Sequence, residues 1–184
     1  VGYSGFGTEM VEQEMRTLFP TVRIARLDTD SAQDKDTLSR VLEDFREGKL
    51  DILIGTQMVA KGLNFPLVDL VGIINADSSL NLPDFRSQER AFSLIVQVSG
   101  RAGRYNDHGM VVVQTFRPEN PAVALASNGN YASFYEQELA VRSETRFPPF
   151  TRLVNLTIRS RNKEKSREAA EELEQLVTAF LKHM

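Results

Sequence analysis

An α/β fold is what this sequence predicts: a parallel sheet flanked by helices, followed by a smaller, partial α+β unit. Three observations predict it. Compact apolar runs at Ile52-Leu53-Ile54, at Leu67 to Ile74 and at Met110 to Val113 read as short strands, the first two apolar enough for burial on both faces. Helical periodicities separate them, and strand alternating with helix implies parallel pairing through crossover connections. Composition then changes at Arg117-Pro118-Glu119-Asn120-Pro121, where two prolines forbid continuous helix or sheet. This places a domain boundary near residue 117.

The elements follow in order. Thr8 is placed to cap a helix carrying Val11, Met15 and Leu18 on one face, with Glu9 and Glu12 near its positive end and Pro20 beyond its close. Val22 to Leu27 alternates like a strand. After Asp28-Thr29-Asp30, the residues Leu38, Val41, Leu42 and Phe45 recur at i, i+3, i+4 and i+7, and Gly48 ends that helix. Ile52 to Ile54 leads through Gly55 into a loop, Thr56 to Gly62, ahead of the Leu67 to Ile74 strand. Phe85, Glu89, Phe92, Ile95, Val96 and Ser99 give the next helix a mixed face running into Gly100-Arg101. Met110 to Gln114 is a further strand. Beyond the boundary, Tyr131, Phe134, Tyr135, Leu139 and Arg142 share one helical face. Phe147-Pro148-Pro149-Phe150 follows, then a strand at Leu153 to Ile158 and a helix carrying Ala169, Leu173, Leu176, Val177 and Phe180. One strand makes no stable sheet alone, so this second unit reads as truncated.

Composition narrows the function classes. With 184 residues, of which 41% are apolar and 26% charged, the chain can build one core and part of another in an ordinary globular protein. The apolar runs are too short to span a bilayer and the start has no signal-like segment, so a cytosolic protein without membrane contact is the default expectation. There are no cysteines, and His108 and His183 cannot by themselves build a zinc site, so no metal site is expected in this chain. A net charge of −3 leaves any nucleic-acid contact to local basic patches. The chain begins without Met and ends at Met184 inside a helical pattern, which reads as a piece of a longer protein.

Gln97-Val98-Ser99-Gly100-Arg101-Ala102-Gly103-Arg104 carries the densest chemical information. Guanidinium presents a rigid fork of donors to phosphate oxygens, while Gly100 and Gly103 let the backbone approach a partner surface. Arg101 and Arg104 therefore either reach a γ-phosphate held on a neighbouring lobe or are solvated arginines of a surface turn. Upstream, Thr56 offers a hydroxyl and Gly62 an unhindered amide, groups that hold a nucleic-acid phosphate without reading sequence. The alternative is a plain strand-to-helix loop turned by Gly55, with Lys61 either on phosphate or in solvent. Asp69 and Asp77 read as caps or turn formers, and His108 as a solvated turn residue. Arg86, Glu89 and Arg90 are either interlobe ion-pair partners or a charged helix face. The aromatics Tyr131, Phe134, Tyr135, Phe147 and Phe150 read as core before they read as base-stacking surfaces.

Together, GTQMVAKGLNFP (residues 55–66) and QVSGRAGR (residues 97–104) resemble motifs V and VI of superfamily 2 helicases. With PDFRSQERAF (residues 83–92) between them, the wording resembles the PriA family of replication-restart DNA helicases. The resemblance covers nearly all of the chain but only part of such a protein. It implies that residues 1–117 form the second RecA-like motor lobe and residues 118–184 open a C-terminal domain. It implies Arg104 as arginine finger, Arg101 as a second phosphate contact, and Gln97, Gly100 and Gly62 at the nucleotide. Thr56, Gln57 and Lys61 would touch the DNA backbone. ATP and Mg²⁺ are expected mainly on a first lobe outside this chain, as is the family's zinc insertion. Forked and single-stranded DNA, primosome proteins and single-strand-binding protein are the implied partners, and the bacterial cytoplasm, near the nucleoid, the implied location. No phosphate-binding G-x-x-x-x-G-K-[ST] loop is present, so the chain alone is not expected to hydrolyse ATP. The alternatives are another superfamily 2 motor or a non-catalytic nucleic-acid-binding module.

Overall fold

The structure, a computed structural model, describes residues 7–27, 34–56, 65–100 and 109–182. The chain divides into two compact units, Val1–Val141 and Arg142–Met184.

The first unit opens with α1 (Thr8–Leu18), β1 (Ile24–Leu27), α2 (Lys35–Arg46) and β2 (Ile52–Gly55). Thr8 is the first residue of α1 and not its cap. Gly7 holds the cap position without a side-chain bond, and the Thr8 hydroxyl accepts from Arg26 Nη1 at 3.3 Å. Val11 and Met15 are half-buried where α1 packs on β1 and β2, whereas Leu18 stays exposed. Asp34 caps α2, its Oδ1 accepting from the Asp36 N–H at 3.1 Å. At the far end, the Gly48 N–H reaches Phe45 O (3.2 Å) and the Lys49 N–H reaches Asp44 O (2.8 Å), a Schellman closure that needs the left-handed φ of +73° at Gly48. The expected stop therefore lies at Gly48 for a backbone reason.

β1 and β2 pair in parallel, Ile24 opposite Ile52 and Leu27 opposite Gly55, joined by the α2 crossover. An Arg23–Asp51 clasp closes the amino end of this ladder. Arg23 Nη2 donates to Asp51 Oδ1 (2.6 Å), Nε to Oδ2 (2.9 Å), and the Arg23 N–H to the same Oδ2 (2.8 Å).

The same unit continues with β3 (Leu70–Ile73), α3 (Asp77–Leu80), α4 (Ser87–Ser99), β4 (Met110–Val113), α5 (Pro121–Ser127) and most of α6 (Tyr131–Glu144), whose last turn lies past Val141. β3 and β4 are also parallel, Leu70 opposite Met110 and Ile73 opposite Val113. The expected parallel pairing is present, but among the described residues it takes the form of two separate two-stranded ladders. Burial of β3 on both faces is corrected. Ile73 and Val113 pack toward α4, while Leu70, Met110 and Val112 on the opposite face are exposed.

The core cluster comprises Leu80, Ala91, Phe92, Ile95, Ala122, Val123, Ala126 and Phe134, with the Phe92 and Phe134 rings stacked at 4.1 Å and 9°. Half of it comes from beyond residue 117. The proline-rich stretch starts a helix here: Pro121 occupies the first turn of α5, where no N–H is required, and the Asn120 side chain accepts from the Ala122 N–H at 2.9 Å. Gly129 (φ +63°) then closes α5 as Gly48 closes α2, with the Asn130 N–H on Leu125 O. The change of composition at 117–121 is real, and the packing runs across it. Phe134 is core as expected, while Tyr131 and Tyr135 stay largely exposed beside it.

In the second unit, residues 152–160 adopt no strand, a correction to the expectation at 153–158. Leu153, Val154 and Leu156 are exposed, and among the described residues no strand is paired to them. The helix α7 (Lys163–Leu181) follows, capped by Asn162, whose Oδ1 accepts from the Glu164 and Lys165 N–H groups.

Candidate functional site

The described residues show where the two motif segments leave the fold, one after β2 and one after α4. Thr56 is exposed and leaves the carboxyl end of β2, where ligands of parallel α/β sheets gather. Gly100 ends α4, which returns antiparallel to its strands and so leads toward the amino end of β4. There the Met110 N–H meets Asp69 O at 2.7 Å. Gln57, Lys61, Gly62, Arg101 and Arg104 lie outside the described residues.

α4 delivers its end firmly. Ala91, Phe92, Ile95 and Val98 form its buried face, at helical spacing. Gln97 is half-buried between them. The Ser99 hydroxyl donates to Ile95 O at 2.7 Å and the Gly100 N–H to Val96 O at 3.1 Å. That N–H is spent within the helix. A Cβ on Gly100 would meet nothing closer than Val96 O at 3.6 Å, so the fold itself does not demand glycine there. At the start of α4, Asp84 gathers two cations, Arg86 (Nε to Oδ1, 3.3 Å) and Arg90 (Nη2 to Oδ2, 2.9 Å). Both arginines are thus paired within this chain.

A second constellation stands at the carboxyl ends of β3 and β4, which sequence reasoning treated only as turn residues. Asp77, 6% exposed, opens α3 after Asn75 takes a left-handed turn at φ +58°. Its Oδ2 accepts from the Phe116 N–H at 2.9 Å, and its Oδ1 lies 3.6 Å from Arg117 Nε. Arg117 Nη2 donates to Asn81 Oδ1. Burial opposes the charge on Asp77, but the Phe116 N–H, the Thr115 hydroxyl and Arg117 outweigh it and hold the carboxyl below its ordinary range. Asp77 Oδ1 is buried and accepts no hydrogen bond. Among the described residues no group of three His, Cys, Asp or Glu could hold a metal. No described helix is long and apolar enough to cross a membrane.

The helicase conserved C-terminal domain family matches residues 6–106, the span that includes both motif segments. Replication restart protein PriA of Treponema pallidum is 50% identical over 177 residues, covering 96% of this chain and 27% of that protein. PriA of Bacillus subtilis is 41% identical over 179 residues, 97% of this chain and 22% of its own length. PriA of Haemophilus influenzae is 46% identical over 148 residues, 80% of this chain and 20% of its own length. The chain thus spans about a quarter or less of the curated relatives it matches. With short parallel ladders, crossover helices and this match over more than half its length, the chain belongs to the helicase conserved C-terminal domain family, and nearly all of it is similar to a portion of PriA.

Proposed function

We propose that this chain is the second motor lobe, residues 1–117, and the opening of the C-terminal domain, residues 118–184, of an ATP-dependent 3′-to-5′ DNA helicase of replication restart and primosome assembly. The observation that carries the reading is the helicase-domain match over residues 6–106, joined to 50% identity with a PriA along almost the whole chain. In this reading ATP and Mg²⁺ are held mainly by the first lobe, and zinc by a further segment of the intact protein. Arg104 is the arginine finger on the γ-phosphate and Arg101 a second phosphate contact. Both supply fixed positive charge where negative charge develops. Gln97 positions the nucleotide or Arg101. Gly100 and Gly62 give room for close approach, Gly100 without a free N–H of its own. Thr56, Gln57 and Lys61 hold the DNA backbone by charge and hydrogen bonding that ignore base identity. Forked and single-stranded DNA, primosome proteins and single-strand-binding protein are the partners, in the bacterial cytoplasm near the nucleoid.

DNA-stimulated ATP turnover of the full-length protein tests the assignment, with Arg104→Ala measured beside wild type and ATP binding and folding checked in both. Loss of about 10³-fold in turnover with binding preserved is expected of an arginine finger. Near-normal turnover would remove that role from Arg104.

A further inference from the structure

The helicase-domain match ends at residue 106, yet the helix that leads into the arginine segment is packed by residues beyond it. Ala91, Phe92 and Ile95 of α4 share one core cluster with Ala122, Val123 and Ala126 of α5 and Phe134 of α6. Phe134 stacks on Phe92, and the Tyr131 ring, from the first turn of α6, is centred 6.1 Å from the Phe92 ring. Both packing helices are fixed at their own starts. Asn120 caps α5, and Asn130 caps α6, its Oδ1 accepting from the Ser133 N–H at 3.1 Å. From Phe92 onward α4 runs unbroken to its end, where the Ser99 hydroxyl closes on Ile95 O and the Gly100 N–H on Val96 O. Arg101 is the next residue in sequence.

Resting on the reading of Arg101 and Arg104 as phosphate contacts, we propose that α5 and α6 aim the arginine segment, with Phe134 as a positioning residue that acts through Phe92 and α4. Phe134 is buried and holds no nucleotide itself; it governs the direction of the helix. The stretch of α4 from Phe92 to Gly100 is about 12 Å long at the helical rise. A tilt of roughly 5° about Phe92 therefore carries the helix end about 1 Å, and a misplacement of that size at reacting groups costs up to about 10²-fold in rate. Removing the Phe134 ring leaves a cavity beside Phe92 toward which α4 can shift, because surrounding structure relaxes partly into such a space. Positive charge that meets negative charge developing in the transition state acts on kcat. Loss of aim should accordingly lower kcat and leave the KM for ATP near its normal value.

The test is DNA-stimulated ATP turnover of the full-length protein, comparing wild type, Phe134→Ala and Phe134→Leu, with folding followed by circular dichroism and nucleotide occupancy by titration with a fluorescent ATP analogue. Phe134→Ala should lower kcat about 10-fold with the KM for ATP within about twofold of wild type. Phe134→Leu keeps most of the apolar volume and should bring kcat back to within about threefold of wild type. A merely structural role would reduce the amount of folded enzyme and leave kcat per bound nucleotide unchanged. The deciding arm places Phe134→Ala in protein carrying Arg101→Ala and Arg104→Ala, under single-turnover conditions. Residues that act through one another are non-additive, so no further loss is expected there. Unchanged kcat in Phe134→Ala, or the same loss with both arginines absent, overturns the proposal. Where the alanine variant does not fold, Phe134→Leu is read in both backgrounds: a loss of about threefold that vanishes without the arginines supports the proposal, and an unchanged kcat overturns it. Near-normal turnover of the protein lacking both arginines sinks the phosphate-contact reading itself, so the two failures are distinguishable.

Discussion

Truncating Phe134 to alanine probes how far the first folded unit extends past residue 117. Phe134 is 5% exposed and its ring lies 4.1 Å from, and nearly parallel to, that of Phe92 on α4. Removing a buried phenyl ring forfeits its transfer free energy and leaves a cavity, together about 3 to 5 kcal/mol, of which the ring pair itself supplies roughly 1. Against a total stability of about 5 to 15 kcal/mol for an ordinary domain, that is a large fraction. The cavity would open against Phe92, so α4, whose last residues lead into the Gly100-Arg101 segment, should loosen along with α5 and α6. Urea unfolding followed by far-ultraviolet circular dichroism should show a midpoint displaced by that amount with an unchanged slope. A loss under about 1 kcal/mol would mean that α6 does not share the core of α4, and that the packed unit ends near residue 117 after all.

Other outcomes follow from local geometry. Gly48→Ala forces an L residue to φ +73° with its Cβ 3.4 Å from Leu67, and should cost about 1 kcal/mol in the same assay. Gly7→Ala, at φ −64° with open space around it, should cost nothing measurable. For Asp51, the hydrogen bonds from the Arg23 side chain, with that from the Arg23 backbone, lower the carboxyl from 3.8 to about 2. Because the folded value is the lower one, the clasp's contribution is fully present above pH 4 or so and is lost as pH falls through about 2. Carbon-13 NMR titration of the Asp51 carboxyl should place its midpoint near the folded value, and Asp51→Asn should flatten the acid limb of stability against pH.

Much of the architecture was legible because it rests on local pattern. The apolar spacing of Leu38, Val41, Leu42 and Phe45 marks α2, Gly48 marks its end, and the runs at Ile52 and Met110 mark strands, each signal lying within one element. The wording around residues 55–66 and 97–104 was enough to point to the helicase C-terminal domain, since a motif is a local string. At Pro121 the local pattern leaves two outcomes open. Proline excludes a helix interior but suits a first turn, and only the Asn120 cap behind it and the core before it decide between the two.

Sequence alone determined which segments become helix or strand, that the strands pair in parallel, and which family the chain joins, because periodicity, breakers and motif wording are written within a dozen residues. Tertiary structure decided what depends on distant partners. It set α5 and Phe134 into the core of α4, and left the segment at 153–158 without a strand to pair. It also brought Asp77 to the backbone N–H of Phe116, 39 residues away. A carboxylate binds whichever donor the fold carries to it, and no local pattern names that donor.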